Sequence, residues 1–293
     1  MRVSTAFRYD GFSSAIRSAD TRVQEAQARV TSGKRIEKPS DDASGTRQLL
    51  SIGAVRNGIA GYTKNLDTAK GVLATADNAY GELGDLAQSA RTLAIQGATS
   101  TMDETERANI ADQIDSLQDR LVTLGNSQGP DGRYLFGGQV TDAKPFAVAA
   151  DGSLTYSGNT TVPTVETGPG ASVRAGETGT VVSDIYAALK DLQAKMRSGD
   201  LTALSTTNLK ALQDSGDAIA AAQGDVGRRL NVVEATRTNL TRQDTDLSAR
   251  ASAIGDVDYA TAIVDYTAAQ SAYQAALTVT SKGFSMGLMD FIR

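Results

Sequence analysis

The two ends of this chain carry the same repeating pattern of apolar residues. Near the N-terminus, steps of three and four residues alternate through Tyr9, Phe12, Ile16, Ala19, Val23, Ala26 and Val30. Near the C-terminus the same steps connect Tyr259, Ile263, Tyr266, Gln270, Tyr273, Leu277, Thr280 and Phe284. A period of 3.5 residues predicts two helices that each bury one narrow stripe against another helix. Because neither end can cover its stripe alone, we expect a structural building block rather than a catalyst.

The composition excludes several classes of site. The chain contains neither Cys nor His, which excludes thiol nucleophiles, disulfides, imidazole bases and zinc sites built on these ligands. The formal net charge is -5 and the sequence pI is about 4.9. Nucleic-acid binding needs a basic face, so we expect no nucleic-acid partner. We also expect no cofactor and no enzymatic activity.

The sequence also bears on the compartment in which the protein acts. Residues 1–16 contain no unbroken apolar run, so we expect no ordinary cleaved signal peptide. A membrane-spanning helix needs about 18 or more consecutive apolar residues. The chain has no such stretch, so we expect no membrane insertion.

The interior of the chain predicts further long helices. A second apolar seam runs from Ile52 to Ala94, and a column of apolar residues beside it widens the stripe. Such a wide stripe is typical of a helical bundle. Thr101 with Glu104 three residues later is typical of a capping box, so a shorter helix is predicted to begin there, to continue to residue 124 and to fold back on the second seam. Beyond residue 200, apolar residues recur every seven positions at Leu212, Ile219, Val226, Val233, Leu240, Leu247 and Ile254. We expect this segment to be the antiparallel partner of the second seam.

Helical periodicity disappears between residues 129 and 179, where Gly, Pro, Thr and Val dominate. Asp151-Gly152 separates two short apolar segments, which is typical of a β-hairpin. The 133–136 segment is a further strand candidate. The predicted fold is therefore mainly α: a long antiparallel helical bundle or coiled coil, with paired terminal helices and a small β-rich insert at the far end.

Three domains are expected from this organisation. A discontinuous terminal-helix coiled-coil domain comprises residues 1–45 and 255–293. A discontinuous helical bundle domain comprises residues 46–128 and 180–254. A small β-rich outer domain comprises residues 129–179. A single Ala-rich stripe buries too little surface to offset the entropy of ordering a long helix. We therefore expect the ends to fold fully only when neighbouring subunits cover them.

Several charged residues have a structural and a functional interpretation. The Asp41-Asp42 pair and Asp256 with Asp258 lack the spacing of a calcium loop, so capping and turn geometry is the better interpretation. Arg237 and Asp244 occupy seam positions. They either specify register or pair with a neighbouring subunit, or the seam faces solvent there.

Several local strings resemble bacterial flagellin-family proteins. The N-terminal signature turn of that family is similar to Ser32, Gly33, Arg35, Pro39, Asp41, Asp42 and Gly45 in this chain. Residues 132–138, 226–231 and 256–259 also match family positions. The resemblance covers nearly the whole chain, is strongest at the two ends, and is weakest between residues 151 and 179.

The resemblance implies a structural subunit of the bacterial flagellum. Such a subunit is exported through the flagellar type III apparatus and acts outside the cell. It implies packing of the terminal helices against other copies in a ring, with a neighbouring hook-associated protein on one side and flagellin on the other. An export chaperone would mask the C-terminal helix beforehand. The assembly interface would comprise Tyr9, Phe12, Ile16, Ala19, Val23, Ala26, Val30, Tyr259, Ile263, Tyr266, Gln270, Tyr273, Leu277 and Phe284.

Three alternatives to a structural adapter, a subunit that joins the neighbouring hook-associated protein to flagellin, stay open. The first is a flagellin that polymerises into a filament. The second is a peptidase in the β insert, which needs metal ligands that a chain without His supplies poorly. The third is a surface-binding module for carbohydrate or a host receptor. That module would need an aromatic cluster, for which the insert offers Tyr134, Phe136, Phe146 and Tyr156.

Overall fold

The structure is a computed structural model that describes residues 2–99 and 102–289, with side chains described for residues 9–99 and 102–282. Seven α-helices and four short strands make up the described chain. The helices are α1 (Arg2–Ser32), α2 (Ala43–Gly97), α3 (Glu104–Gly125), α4 (Thr180–Ser198), α5 (Leu201–Ala203), α6 (Leu209–Gly255) and α7 (Tyr259–Met289). A π-helical turn, Leu204–Asn208, connects α5 to α6. The prediction of a mainly α fold with a small β insert is confirmed.

The chain divides into two compact units. Unit 1 comprises residues 1–57 and 243–293, and unit 2 comprises residues 58–242. In unit 1, the terminal helices α1 and α7 pack against each other. The turn between α1 and α2 lies against the junction between α6 and α7, where the amide of Arg35 donates to the carbonyl of Gly255 at 2.7 Å.

The core of unit 2 is formed by α2, α3, α4 and α6. Two ion pairs show that α2 and α6 run antiparallel, as the sequence predicts. Asp67 of α2 lies 3.3 Å from Arg237 of α6. Lys70 of α2 lies 2.9 Å from Glu234 of α6, so a step forward along α2 corresponds to a step backward along α6. Five of the seven predicted heptad positions of α6 are buried, namely Leu212, Ile219, Val226, Val233 and Leu240, and Leu247 and Ile254 are half-buried.

Helix α3 folds back on α2, as predicted, but it begins later than the sequence suggests. The pattern at Thr101 and Glu104 predicts a capping box there. Instead, Asp103 accepts a hydrogen bond from the Glu106 amide at 2.7 Å, and the Glu106 carboxylate accepts one from the Asp103 amide at 3.0 Å. Thr101 itself lies outside the described residues. Aspartate and threonine both cap well, so the local sequence does not choose between them.

The β insert consists of two antiparallel hairpins. Strand β1 (Phe146–Val148) pairs with β2 (Leu154–Tyr156), and the hairpin predicted at Asp151-Gly152 is confirmed. Strand β3 (Thr164–Gly168) pairs with β4 (Ala171–Arg174). The 133–136 segment, predicted as a further strand, makes only an isolated bridge between Tyr134 and Gln128.

The insert lies beside the middle of α2, whereas the sequence places it at the far end of the long helices. Asn65 of α2 donates to the Glu166 carbonyl at 2.9 Å, and Tyr80 donates to the Glu177 carboxylate at 3.1 Å. Helix α2 continues to Gly97. The physical reason is that α3 returns along α2 before the insert begins, which brings the chain back from the end of the helix. Asn126, at the end of α3, then holds the Phe146 backbone through two hydrogen bonds of 3.0 Å.

Candidate assembly surface

The signature turn begins with a left-handed glycine at the end of α1. Gly33 has φ = +67° and is buried, and its amide donates to the Arg29 carbonyl at 3.0 Å. A Cβ at this position would lie 2.5 Å from the Tyr259 hydroxyl. Glycine is therefore required here both by backbone conformation and by the close approach of α7.

Arg35 and Lys34 connect this turn to the end of α6. The Arg35 guanidinium donates to the Ile254 carbonyl at 2.7 and 3.1 Å, which satisfies an acceptor at the helix C-terminus. Lys34 pairs with Asp256 at 2.5 Å. The Val257 amide donates to the Gly33 carbonyl at 3.0 Å. These contacts join two segments that are more than 200 residues apart, and sequence patterns gave no sign of the pairing.

The predicted capping and turn geometry at Asp41 and Asp42 is confirmed by their hydrogen bonds, since Asp42 caps α2 and Asp41 closes the preceding turn. Asp41 accepts from the amides of Lys38 and Glu37 at 2.8 and 3.0 Å. Asp42 accepts from the Gly45 amide at 2.8 Å and pairs with Arg35 at 3.2 Å. These bonds hold the pKa of both carboxyls below the usual value of 3.8.

The remaining signature residues shape the turn. Ser32 donates from its hydroxyl to the carboxylate of Glu37, and Pro39 lies exposed at the bend. Gly45 is buried, and a Cβ there would lie 2.5 Å from Ile36 Cδ1. Asp258 accepts from the Ala260 amide at 2.9 Å, which confirms its predicted role as a cap of α7.

The stripe predicted on α1 is the face that this helix shields from solvent. Ala26 is buried, and Phe12, Ile16, Ala19, Val23 and Val30 are half-buried, whereas Tyr9 is exposed. The burial therefore follows the predicted steps of three and four. Since α1 packs against α7, the stripe has an intramolecular partner.

Helix α7 shields part of its predicted seam from solvent, together with three alanines that the prediction did not include. Its buried and half-buried positions are Ala262, Tyr266, Ala269, Tyr273, Ala276 and Thr280. Sequence reasoning missed the three alanines, although their seven-residue spacing was a usable signal. Alanine lets two helices approach more closely than a bulky residue does.

The other predicted residues of α7 form an exposed strip beside the buried stripe. This flank strip consists of Tyr259, Ile263, Gln270 and Leu277. Tyr259 is 57% exposed, Ile263 51% and Leu277 41%. The side chain of Phe284, the last predicted position, lies outside the described residues. One face of α7 thus packs within the chain, and a second, mostly apolar strip faces solvent.

Both ends of the chain match known helical regions. Residues 3–141 match the bacterial flagellin N-terminal helical region, and residues 209–292 match the bacterial flagellin C-terminal helical region. The two ranges take in nearly all of α1, α2, α3, α6 and α7. The chain belongs to the bacterial flagellin family.

Within this family, the chain is similar over its full length to a hook-associated protein. The chain is 26% identical to flagellar hook-associated protein 3 of Salmonella typhimurium over 322 residues, which covers 100% of both proteins. The crystal structure of Bacillus cereus FlgL is 25% identical, with a TM-score of 0.58 covering 68% of this chain and 97% of that one. A flagellar hook-associated protein from Vibrio parahaemolyticus shares the fold, with a TM-score of 0.65 at 20% identity over 73% of this chain and 99% of that one.

Filament flagellins match a smaller part of this flagellin-family chain. Polar flagellin F of Vibrio parahaemolyticus is 26% identical over 121 residues, or 41% of this chain and 32% of that flagellin. The predicted resemblance to the flagellin family is confirmed, and the hook-associated branch is favoured over the filament-forming branch.

The two charged seam residues of this family member pair within the chain. Asp244 lies 2.8 Å from Arg56 inside unit 1, and Arg237 lies 3.3 Å from Asp67 inside unit 2. Each pair connects α6 to α2. The side chains of both pairs are 39–51% exposed, so a role of Arg237 and Asp244 in helix register stays a prediction.

A buried ionic cluster attaches the β insert to α2 and α6. The Arg229 guanidinium donates to the Glu177 carboxylate and to the carbonyls of Arg174 and Gly176, at 3.2 and 3.3 Å for the carbonyls. Its Nε lies 2.9 Å from Asp225 but is not directed at it, so this contact is an ion pair rather than a hydrogen bond. Burial raises the pKa of Glu177, while Arg229 and the Tyr80 hydroxyl oppose that rise.

The aromatic residues of the insert serve mainly as core. Phe136 is buried and packs edge-on against Tyr80 at 5.6 Å between ring centroids. Phe146 is buried and lies 5.1 Å from Tyr156. The aromatic surface that a carbohydrate-binding module needs is therefore not formed by these side chains.

Across the described ranges, no helix has both the length and the apolar character needed to cross a membrane.

Proposed function

We propose that this chain is the hook-filament junction protein of the bacterial flagellum, a structural adapter that joins the hook-associated ring to the flagellin filament. The observation that carries this proposal is the alignment with flagellar hook-associated protein 3 over 100% of both proteins. A filament flagellin, the alternative, matches over only 32% of its length. The adapter acts through packing of its terminal helices.

The flank strip on α7 supports a role in assembly. Burying apolar surface stabilises an assembly by roughly 25 cal/mol for each Å² removed from water. Tyr259, Ile263 and Leu277 are each more than two-fifths exposed on one side of the helix. Other copies of the chain in a ring would cover this strip, while the stripe on α1 already has α7 as its partner. The neighbouring hook-associated protein and flagellin would contact the ends of that ring.

The three-part organisation gives each part a place in this adapter. Residues 1–45 and 255–293 would form the tube core, and residues 46–128 with 180–254 would form the surrounding bundle. Residues 129–179 would lie outermost. The subunit would travel through the flagellar type III route without a cleaved signal peptide, with an export chaperone covering α7 until assembly. The adapter works outside the cell, without a cofactor or a catalytic step.

Deletion of the gene in its own cells tests the proposal. Complementation uses wild-type protein, an Ile263→Asp variant and a Ser271→Asp variant. Cells without the gene should carry hooks without filaments and shed flagellin into the medium, as seen by electron microscopy and an assay of spent medium. Wild-type protein and Ser271→Asp should restore filaments, because Ser271 is exposed and lies off the flank strip.

Ile263→Asp should be exported but fail to restore filaments. Ile263 is already exposed, so the change should alter the free energy of unfolding by less than about 0.5 kcal/mol. Normal filaments in the deleted strain would exclude the adapter role. Normal filaments with Ile263→Asp alone would exclude the flank strip as an assembly contact and leave the adapter role standing.

A further inference from the structure

Helix α7 carries very little charge for a helix that is mostly exposed. Between Tyr259 and Ser281 it contains a single charged residue, Asp265. Its partner α1 carries six charged residues over residues 9–32, which give α1 a solvated outer face. A helix that lacks charge around most of its circumference is normally buried on several sides. Because α1 covers only one side of α7, the remaining sides are uncharged surface that the chain itself leaves uncovered.

A second apolar strip lies on α7, away from the flank strip. This back strip consists of Val264, Ala268, Ala275 and Val279. All four side chains are exposed, and the two valines are 64% and 61% exposed. At roughly 100° per residue, the centre of the back strip lies roughly 150° around the helix from the centre of the flank strip. The two strips therefore point in nearly opposite directions.

Polar residues separate the two strips on the side of α7 that faces away from α1. This polar ridge consists of Thr267, Ser271, Gln274 and Thr278, all of them exposed. The hydroxyls of Thr267, Ser271 and Thr278 each donate to a carbonyl of α7 itself at 2.9 Å, so they need no partner from another protein. Helix α7 thus has one face on α1, a polar ridge opposite that face, and one apolar strip on each side.

We propose that the back strip is a second assembly contact, which receives the flank strip of α7 from a second copy of this chain. A ring of more than two copies needs two different, complementary patches on each subunit, because a single self-complementary patch closes a dimer. The flank strip supplies one patch, and the back strip supplies the other on the opposite side of the helix. This inference rests on the proposed adapter function and identifies how its copies contact each other.

The two strips match in shape, length and charge. The flank strip presents one aromatic ring and two branched aliphatic side chains, whereas Ala268 and Ala275 leave shallow spaces in the middle of the back strip. Bulky side chains of one helix pack into such spaces on another. The strips extend over similar lengths, residues 259–277 and 264–279. Neither strip contains a charge, so their contact removes no ionised group from water.

Cysteine cross-linking in intact flagella tests this contact. The chain has no native cysteine, so the deletion strain is complemented with two differently tagged copies of the gene. One copy carries Ile263→Cys, and the other carries cysteine at each back-strip position in turn. Oxidation should give a dimer that contains both tags for at least one back-strip position. Each cysteine variant expressed alone should give no dimer, because each strip contacts the other strip rather than itself.

Two further variants test the direction of the contact. A chain that carries Ile263→Cys together with the cross-linking back-strip cysteine should give a ladder of multimers, because head-to-tail contacts continue from copy to copy. A product that stops at the dimer would indicate a self-complementary contact and overturn the proposal. Ser271→Cys lies on the polar ridge and is the matched control. Paired with Ile263→Cys, it should give no mixed dimer.

Aspartate variants test whether assembly needs the back strip. Ala268→Asp should be exported, yet it should leave as few cells with filaments as the deletion strain, because it places a charge inside the contact. Ser271→Asp places the same charge on the same helix, outside both strips, and should restore filaments. Both positions are exposed, so a general effect of aspartate on α7 would appear in both variants.

Two other results would overturn the second contact and leave the adapter standing. One is restored filaments with Ala268→Asp. The other is the absence of a mixed dimer at all four back-strip positions in cells whose cysteine variants restore filaments. Normal filaments in the deletion strain itself would instead refute the adapter, so the failure of each proposal has its own readout.

Discussion

Loss of the Arg229 guanidinium should destabilise unit 2 strongly at neutral pH and less in acid. The side chains of Arg229 and Glu177 are only 10% and 12% exposed. Arg229→Met would leave the Glu177 carboxylate with the Tyr80 hydroxyl, at 3.1 Å, as its hydrogen-bond donor in the cluster. It would also leave two backbone carbonyls without this donor. Removing one partner of a buried ion pair costs about 3–5 kcal/mol, which we expect at pH 7.

The pH dependence follows from the pKa of Glu177. Burial raises that pKa above 4.5, and Arg229 lowers it, so the variant should have a higher folded-state pKa than the wild type. When the pKa of a carboxyl is higher in the folded protein than in the unfolded chain, the folded protein loses stability as pH rises through the pKa of the folded state. The destabilisation by Arg229→Met should therefore be smaller at pH 4, where Glu177 is protonated and needs no cationic partner.

Urea unfolding of the full chain, followed by circular dichroism at pH 7 and pH 4, measures both effects. A variant combining Glu177→Gln with Arg229→Met serves as the control, because it removes the unpaired charge. The double variant should recover part of the free energy of unfolding that Arg229→Met loses at pH 7. Its own destabilisation should differ little between the two pH values. A loss below about 1 kcal/mol at pH 7, or an equal loss at both pH values, would refute the role of the buried pair.

Three further predictions concern unit 1. Gly33→Ala should destabilise it by at least about 1–2 kcal/mol, the cost of a left-handed alanine. Adding Tyr259→Phe should recover part of that loss, whereas Gly11→Ala, where a Cβ meets nothing, should be neutral or stabilising in thermal melts. Hydrogen bonds and ion pairs lower the pKa of Asp42 and Asp256 below 3.8, so the stability they contribute is present above that value and lost as pH falls. Amide protection in the signature turn should drop in that window. Asparagine at positions 42 and 256 should reduce this pH dependence, and the part that remains comes from Asp41, whose pKa is also lowered. Amides of α1 and α7 should exchange faster in the isolated chain than those of unit 2, and equal protection would exclude coupled folding and assembly.

The helices were predictable because their signals are periodic and long. The heptad from Leu212 to Ile254 and the stripe from Phe12 to Val30 identify the inward faces of α6 and α1. The hairpin at Asp151-Gly152 was predictable because a left-handed glycine at residue 152, with φ = +72°, closes the turn. In each case the signal lies within one continuous segment of the chain.

The features that sequence reasoning missed depend on contacts between distant segments. On α7, Ala262 and Ile263 begin two adjacent seven-residue series, and periodicity alone does not say which one faces α1. The position of the insert depends on α3 returning along α2, which no residue in the insert signals. The Arg35 guanidinium donates to a backbone carbonyl at the end of α6. Every residue has such a carbonyl, so the sequence does not identify the acceptor.

The signature turn also bears on the order in which unit 1 folds. Asp41 and Asp42 accept hydrogen bonds from amides no more than four residues away, so the turn can form locally with a small entropic cost of loop closure. The Lys34–Asp256 pair closes a separation of 222 residues, which is entropically costly and slow to form. A turn already shaped by its own carboxylates presents Arg35 and the Gly33 carbonyl in position for the α6–α7 junction. Neutralising Asp41 and Asp42 should therefore slow the formation of protected amides in α7 more than it slows their formation in α2. Pulsed hydrogen exchange during refolding would measure both rates.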